Sequence, residues 1–87
     1  MAFYTYILVS EKTGRLYIGQ TQHIDVRVEE HNSGKTKSTK NKGPWKLMYK
    51  KSFSTRKEAV GLEMKLKRWK SKIKVIEWIE KESSGKV

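Results

Sequence analysis

The sequence predicts an α+β domain with three strands and three helices in the order β-β-α-β-α-α. Three observations carry this reading. Two short aromatic and β-branched runs flank Lys12-Thr13-Gly14, helical periodicity takes over after Gln22, and a third apolar run from Trp45 leads into two amphipathic stretches.

Phe3 to Val9 reads as the first strand, with Tyr4, Tyr6 and Leu8 on one face and Phe3, Ile7 and Val9 on the other. Apolar residues on both faces place it inside the sheet. Lys12-Thr13-Gly14 supplies turn chemistry, and Leu16-Tyr17-Ile18-Gly19 returns as the second strand of a hairpin. From about Gln22 to Asn32, Ile24, Val28 and His31 share one helical face, and Gly34 is placed to stop that helix. Residues 33–44 carry no large apolar side chain and read as a mobile basic loop that orders on nucleic acid.

Trp45, Leu47, Tyr49 and Phe53 alternate with Lys46, Met48 and Lys50, which predicts a third strand with the first set on one face. Thr55-Arg56-Lys57-Glu58 has capping-box spacing, and Ala59, Leu62, Leu66, Trp69 and Ile73 follow as a core-facing stripe. Ser71 is placed to cap a last helix containing Ile73, Ile76 and Ile79. The expected domain spans residues 1–82, with 83–87 a frayed tail. No cysteine is present, so disulfides and cysteine metal sites are excluded. No signal-like or bilayer-spanning apolar run occurs, and the expectation is a cytoplasmic protein without membrane attachment.

Charge narrows the function. The net charge is +11, and residues 35–74 hold fifteen of the twenty Lys and Arg against only two acids, Glu58 and Glu63. So one-sided an excess points to a polyanion, with nucleic acid favoured over an anionic membrane surface or ribosomal RNA. Lys35, Lys37, Lys40, Lys42, Lys67 and Lys70 are the candidate phosphate contacts.

Five residues are candidates for chemistry. Glu63 lies on the shoulder of its apolar stripe, where a half-buried carboxylate serves either as a hard ligand for Mg²⁺ or as an ion-pair partner of Lys67. Arg27 and His31 stand four apart on the first helix, offering a phosphate-binding fork and a proton carrier. The structural alternatives are a salt bridge from Arg27 to Glu30 and a packed His31. Tyr6 and Tyr17 share a face if the hairpin pairs Leu8 with Tyr17, and beside an arginine and a metal such a pair is expected to have a lowered phenol pKa. Gly19 is expected to leave room for close approach of a ligand to the backbone.

Taken in order, Tyr4-Thr5-Tyr6, Tyr17-Ile18-Gly19, Arg27, His31-Asn32-x-Gly34 and a later helical Glu63 resemble the GIY-YIG nuclease superfamily. The likeness runs from about residue 3 to residue 80 and is strongest to small bacterial members similar to the N-terminal catalytic domain of the excision-repair subunit UvrC. It implies a three-stranded antiparallel sheet flanked by helices and a metal-dependent endonuclease acting on nucleic acid, DNA before RNA, in repair or processing. Glu63 would hold one Mg²⁺ or Mn²⁺, Arg27 would steady the phosphate, Tyr17 would act as general base beside Tyr6, and His31 would assist proton transfer. The first motif reads Tyr4-Thr5-Tyr6 in place of Gly-Ile-Tyr, Gln20 stands where a basic residue is often found, and no late asparagine has a counterpart. The competing reading is a basic nucleic-acid-binding module without catalysis.

Overall fold

The computed structural model describes residues 2–35, 40 and 42–84. Its elements are β1 (Phe3–Ser10), β2 (Leu16–Thr21), α1 (Ile24–Asn32), β3 (Trp45–Phe53), α2 (Arg56–Trp69) and α3 (Lys72–Ser84). The sheet is antiparallel in the order β2-β1-β3, so β1 is central. Residues 36–39 and 41, which include Lys37, lie outside the described residues, as do 85–87 of the expected tail.

The hairpin register follows from its turn. The Ser10 hydroxyl accepts hydrogen bonds from the Lys12 and Thr13 amides at 3.2 and 2.9 Å, and Gly14 adopts φ +76°, a left-handed conformation that favours glycine. This closure pairs Val9 with Leu16, Leu8 with Tyr17 and Tyr6 with Gly19.

Each face of β1 has its own core. On one side Tyr6 and Leu8 pack with Ile24 of α1 and Trp45 of β3, joined by Tyr4, Tyr17 and Val28. On the other, Ile7 packs with Leu66 and Val75, joined by Ile18, Leu62, Trp69 and Trp78 from β2, α2 and α3. Full burial of one such aliphatic side chain contributes about 1.5–3 kcal/mol. The fully buried Thr5 hydroxyl donates to the Ala59 carbonyl at 2.6 Å and fastens α2 to the sheet.

Two expectations drawn from periodicity are corrected. Trp45 and Tyr49 do not share a face: a bulge between the pairs Ile7–Tyr49 and Leu8–Leu47 reverses the alternation, leaving Trp45 under α1 and Tyr49 against Trp78. Ile73 is 72% exposed instead of core-facing. Lys70 takes a left-handed conformation at the end of α2, Ser71 accepts from the Lys74 amide to start α3, and the helical phase restarts so that Val75 is the buried residue. The cap of α2 matches expectation, since the Thr55 hydroxyl accepts from the Glu58 amide.

Candidate active site

Tyr6, Tyr17 and His31 meet on the α1 side of the sheet. The hairpin places the two tyrosines on one face, and α1 lays His31 across them with ring centroids 4.6 Å from Tyr17 and 5.9 Å from Tyr6. The Tyr6 hydroxyl lies 2.9 Å from His31 Nε2. Both residues are 1% exposed, whereas Tyr17 is only half-buried. Tyr17 is thus the phenol of the pair that solvent or substrate can reach.

Electrostatics separate the groups further. Burial pushes the Tyr6 phenol up to about 12 and outweighs the opposing pull of Arg27. The expected lowering does not occur at this tyrosine, because desolvation of the phenolate exceeds the gain from a nearby cation. Interaction with the Tyr6 hydroxyl is the main influence holding the Arg27 guanidinium in its charged form, with Glu30 adding to it. Burial, assisted by Arg27, holds His31 below the ordinary histidine value, while Glu30 opposes them. Burial keeps the Tyr6 phenol protonated and disfavours the charged imidazole, so Tyr6 and Nε2 of His31 share one neutral hydrogen bond, whose donor depends on the histidine tautomer.

Gly19 serves a purpose other than the expected one. A Cβ there would stand 2.7 Å from the Tyr6 oxygen and 2.8 Å from the ring carbon bearing it, so the missing side chain makes room for Tyr6 itself rather than for a ligand.

Arg27 and Glu63 approach this cluster from different helices. Arg27 lies 3.2 Å from Glu30 Oε1 with its side chain 37% exposed, so the salt bridge anticipated as its structural role is present at the surface. Glu63 is half-buried as expected, its side chain 18% exposed, with Lys67 Nζ at 2.9 Å. Its charge raises the pKa of the Tyr6 phenol, the least of the influences on that group. Among the described residues no cluster of three or more His, Cys, Asp and Glu occurs. A site built on Glu63 would offer one carboxylate, a donor that suits Mg²⁺ or Mn²⁺, hard cations that keep most of their ligands as water and substrate oxygen.

The candidate phosphate contacts fall in two places. Lys67 and Lys70 line a depression of about 330 Å³ with Arg15 and Lys72, beside Leu16 and Ile18. Lys35, Lys40 and Lys42 are exposed on the α1–β3 connection. The ends of that connection are tied to the fold, which corrects the expectation of mobility throughout. The Ser10 hydroxyl donates to the Lys42 carbonyl at 2.5 Å, and the Asn32 side chain clamps Trp45 by accepting from its amide and donating to its carbonyl.

Sequence reasoning missed Arg56, read only as part of a cap. Its guanidinium lies 3.5 Å from Gln20 Oε1 and 3.2 Å from Gln22 Oε1, and 5.2 Å from the centroid of the Phe3 ring. No local spacing signals a contact between residues 34 and 36 positions apart.

A central strand flanked by two cores thus presents paired tyrosines toward the helix that carries Arg27 and His31. The pattern of the GIY-YIG catalytic domain matches residues 2–82, and the chain belongs to this family, a nuclease superfamily that takes nucleic acid as substrate. Its relatives include a UPF0213 protein of Staphylococcus haemolyticus, 39% identical over 77 residues that make up 85% of this chain and 93% of the relative. Another, from Oceanobacillus iheyensis, is 35% identical over 82 residues, 91% of this chain and 94% of the relative. The solution structure of a UPF0213 protein from Bacillus halodurans superimposes with TM-score 0.59 at 33% identity, covering 92% of this chain and 84% of that one. Among the described residues no helix is long and apolar enough to cross a membrane.

Proposed function

We propose that this protein is a divalent-metal-dependent endonuclease that hydrolyses phosphodiester bonds in nucleic acid, with DNA as the favoured substrate in repair or processing, and that it works in the cytoplasm. The observation that carries the reading is the division of labour at the tyrosines. Tyr6 is buried with its hydroxyl bonded to His31, while Tyr17 stands against the same imidazole with its ring half-exposed. A surface that only bound phosphate would gain nothing from a carboxylate set among lysines beside such a pair.

In this mechanism Glu63 holds the cation, which when bound supplies Lewis-acid charge to the phosphate. The phenolate form of Tyr17 accepts a proton from the attacking water as the water oxygen bonds to phosphorus and the bond to the leaving oxygen breaks, the leaving oxygen taking its proton from solvent. Arg27 donates to the non-bridging oxygens, whose charge grows in the transition state. Tyr6 and His31, expected from the resemblance to act near the proton, are positioning residues instead, since neither is open to substrate. They fix Arg27 and the Tyr17 ring.

Supercoiled plasmid, branched DNA and structured RNA incubated with wild type and Glu63→Ala, in Mg²⁺, Mn²⁺ or EDTA, test the reading. Metal-dependent cleavage lost in the variant, with binding retained, is the expected result. Binding without cleavage under every condition would favour the non-catalytic module, a reading that has the Lys67–Glu63 ion pair in its support.

A further inference from the structure

A groove of about 350 Å³ runs beside the tyrosine site between the β2–α1 connection and the start of α2. It is lined by Gln20, Gln22, His23, Arg27, Glu30 and Arg56 among others. Arg27 and Arg56 bring two guanidiniums to it, and they differ in compensation. Arg27 is paired with Glu30. Arg56 is held by two neutral amide oxygens and backed by the Phe3 ring, with no carboxylate partner among the described residues. Neutral acceptors orient a guanidinium without cancelling its charge. A planar fork fixed in this way is preorganised for an anion with oxygens in matching geometry, as phosphate has.

Helix geometry sets the distance. Arg56 precedes Glu63 by seven residues, so both lie on nearly the same face of α2, about 10 Å apart along its axis at 1.5 Å per residue. One strand of duplex DNA carries a phosphate roughly every 3.4 Å along the helix axis, so this separation corresponds to about three phosphates. Arg56 is thus offset from Glu63 along α2, and it opens onto the groove that Arg27 also lines.

We infer that Arg56, oriented by Gln20 and Gln22, binds a phosphate of the nucleic-acid strand two or three positions from the one cleaved, and so sets where the strand lies before the cut. This inference rests on the nuclease reading above and adds a second phosphate subsite to it. Its role is positional, and losing it impairs substrate binding more than turnover.

The test is fluorescence anisotropy of a labelled DNA duplex with full-length wild type, Arg56→Gln and Arg56→Lys across a salt series in EDTA, alongside cleavage kinetics in Mg²⁺. One phosphate contact fewer is expected to lower the slope of log affinity against log salt by about 0.9, which is roughly a tenfold weaker Kd at 0.1 M salt. Arg56→Gln should show that change with raised KM and nearly unchanged kcat, and Arg56→Lys should recover the slope. A wild-type slope and affinity in Arg56→Gln, with wild-type cleavage intact, would overturn the subsite and leave the nuclease reading standing. No salt-dependent DNA binding by the wild type would overturn both. Duplexes carrying single methylphosphonates need no variant: with wild type, one neutralised position two or three nucleotides from the cut should weaken binding, and indifference to every such position would sink the proposal.

Discussion

The ring of Tyr6 occupies the space that a side chain on Gly19 would fill, with its hydroxyl 2.7 Å from where that Cβ would be. The two residues are register partners on β1 and β2, and the absence of one side chain is what lets the other reach His31. Gly19→Ala is expected to displace a fully buried ring and destabilise the fold by about 1–3 kcal/mol, the usual cost of overpacking. Urea unfolding reads this directly. An unchanged midpoint would mean that the Tyr6 ring has another place to go.

The two tyrosines should respond differently to loss of a hydroxyl. Tyr6→Phe removes the link between Arg27 and His31 and is expected to cost about 0.5–1.5 kcal/mol of stability, the net worth of one hydrogen bond. Tyr17→Phe should leave the denaturant midpoint nearly unchanged and abolish cleavage. Equal stability losses in both variants would argue against Tyr17 as the accessible phenol.

Acid should weaken the protein through His31. Its folded-state pKa lies below the unfolded value near 6.5, so the unfolded chain binds the proton more readily. The stability contributed by the neutral imidazole is present above pH 6.5 and declines as pH falls from there through the folded pKa. Wild type and His31→Gln compared by urea midpoint between pH 7.5 and pH 5 should show a steeper decline in the wild type. Parallel curves would remove His31 as its source.

Lys67 competes for the carboxylate assigned to metal. The Lys67–Glu63 pair, open to solvent on its lysine side, contributes only a few tenths of a kcal/mol, so Lys67→Ala is expected to have little effect on unfolding. Freed of its partner, Glu63 should bind the cation at lower concentration, and the Mg²⁺ level giving half-maximal cleavage should fall. No shift, or an upward one, would count against Glu63 as the ligand.

Local chemistry was legible in the sequence wherever it determined the outcome. The turn at Gly14 and the alternation of β1 allowed the pairing of Leu8 with Tyr17 that the structure shows, and the capping-box spacing from Thr55 matched the start of α2. Errors arose where one residue changed the phase of everything after it. The bulge before Tyr49 moved that ring to the opposite face, and the left-handed Lys70 turned Ile73 outward. At the site, Glu63 and Arg27 could be chosen by residue type, but their opposing effects on Tyr6 depend on how α1 and α2 pack. Arg56 and Gln20 carry no sequence signal because nothing but tertiary folding joins them.

β1 is the first strand in the chain and the wall of both cores, yet one of those cores needs Leu66 of α2 and Val75 of α3 before Ile7 is covered. On the ribosome this sets the order in which its two faces can be covered. The first strand to emerge has its second face bare until nearly all the described chain has been made, so that face is covered only late in synthesis, after the residues of the other core are already out.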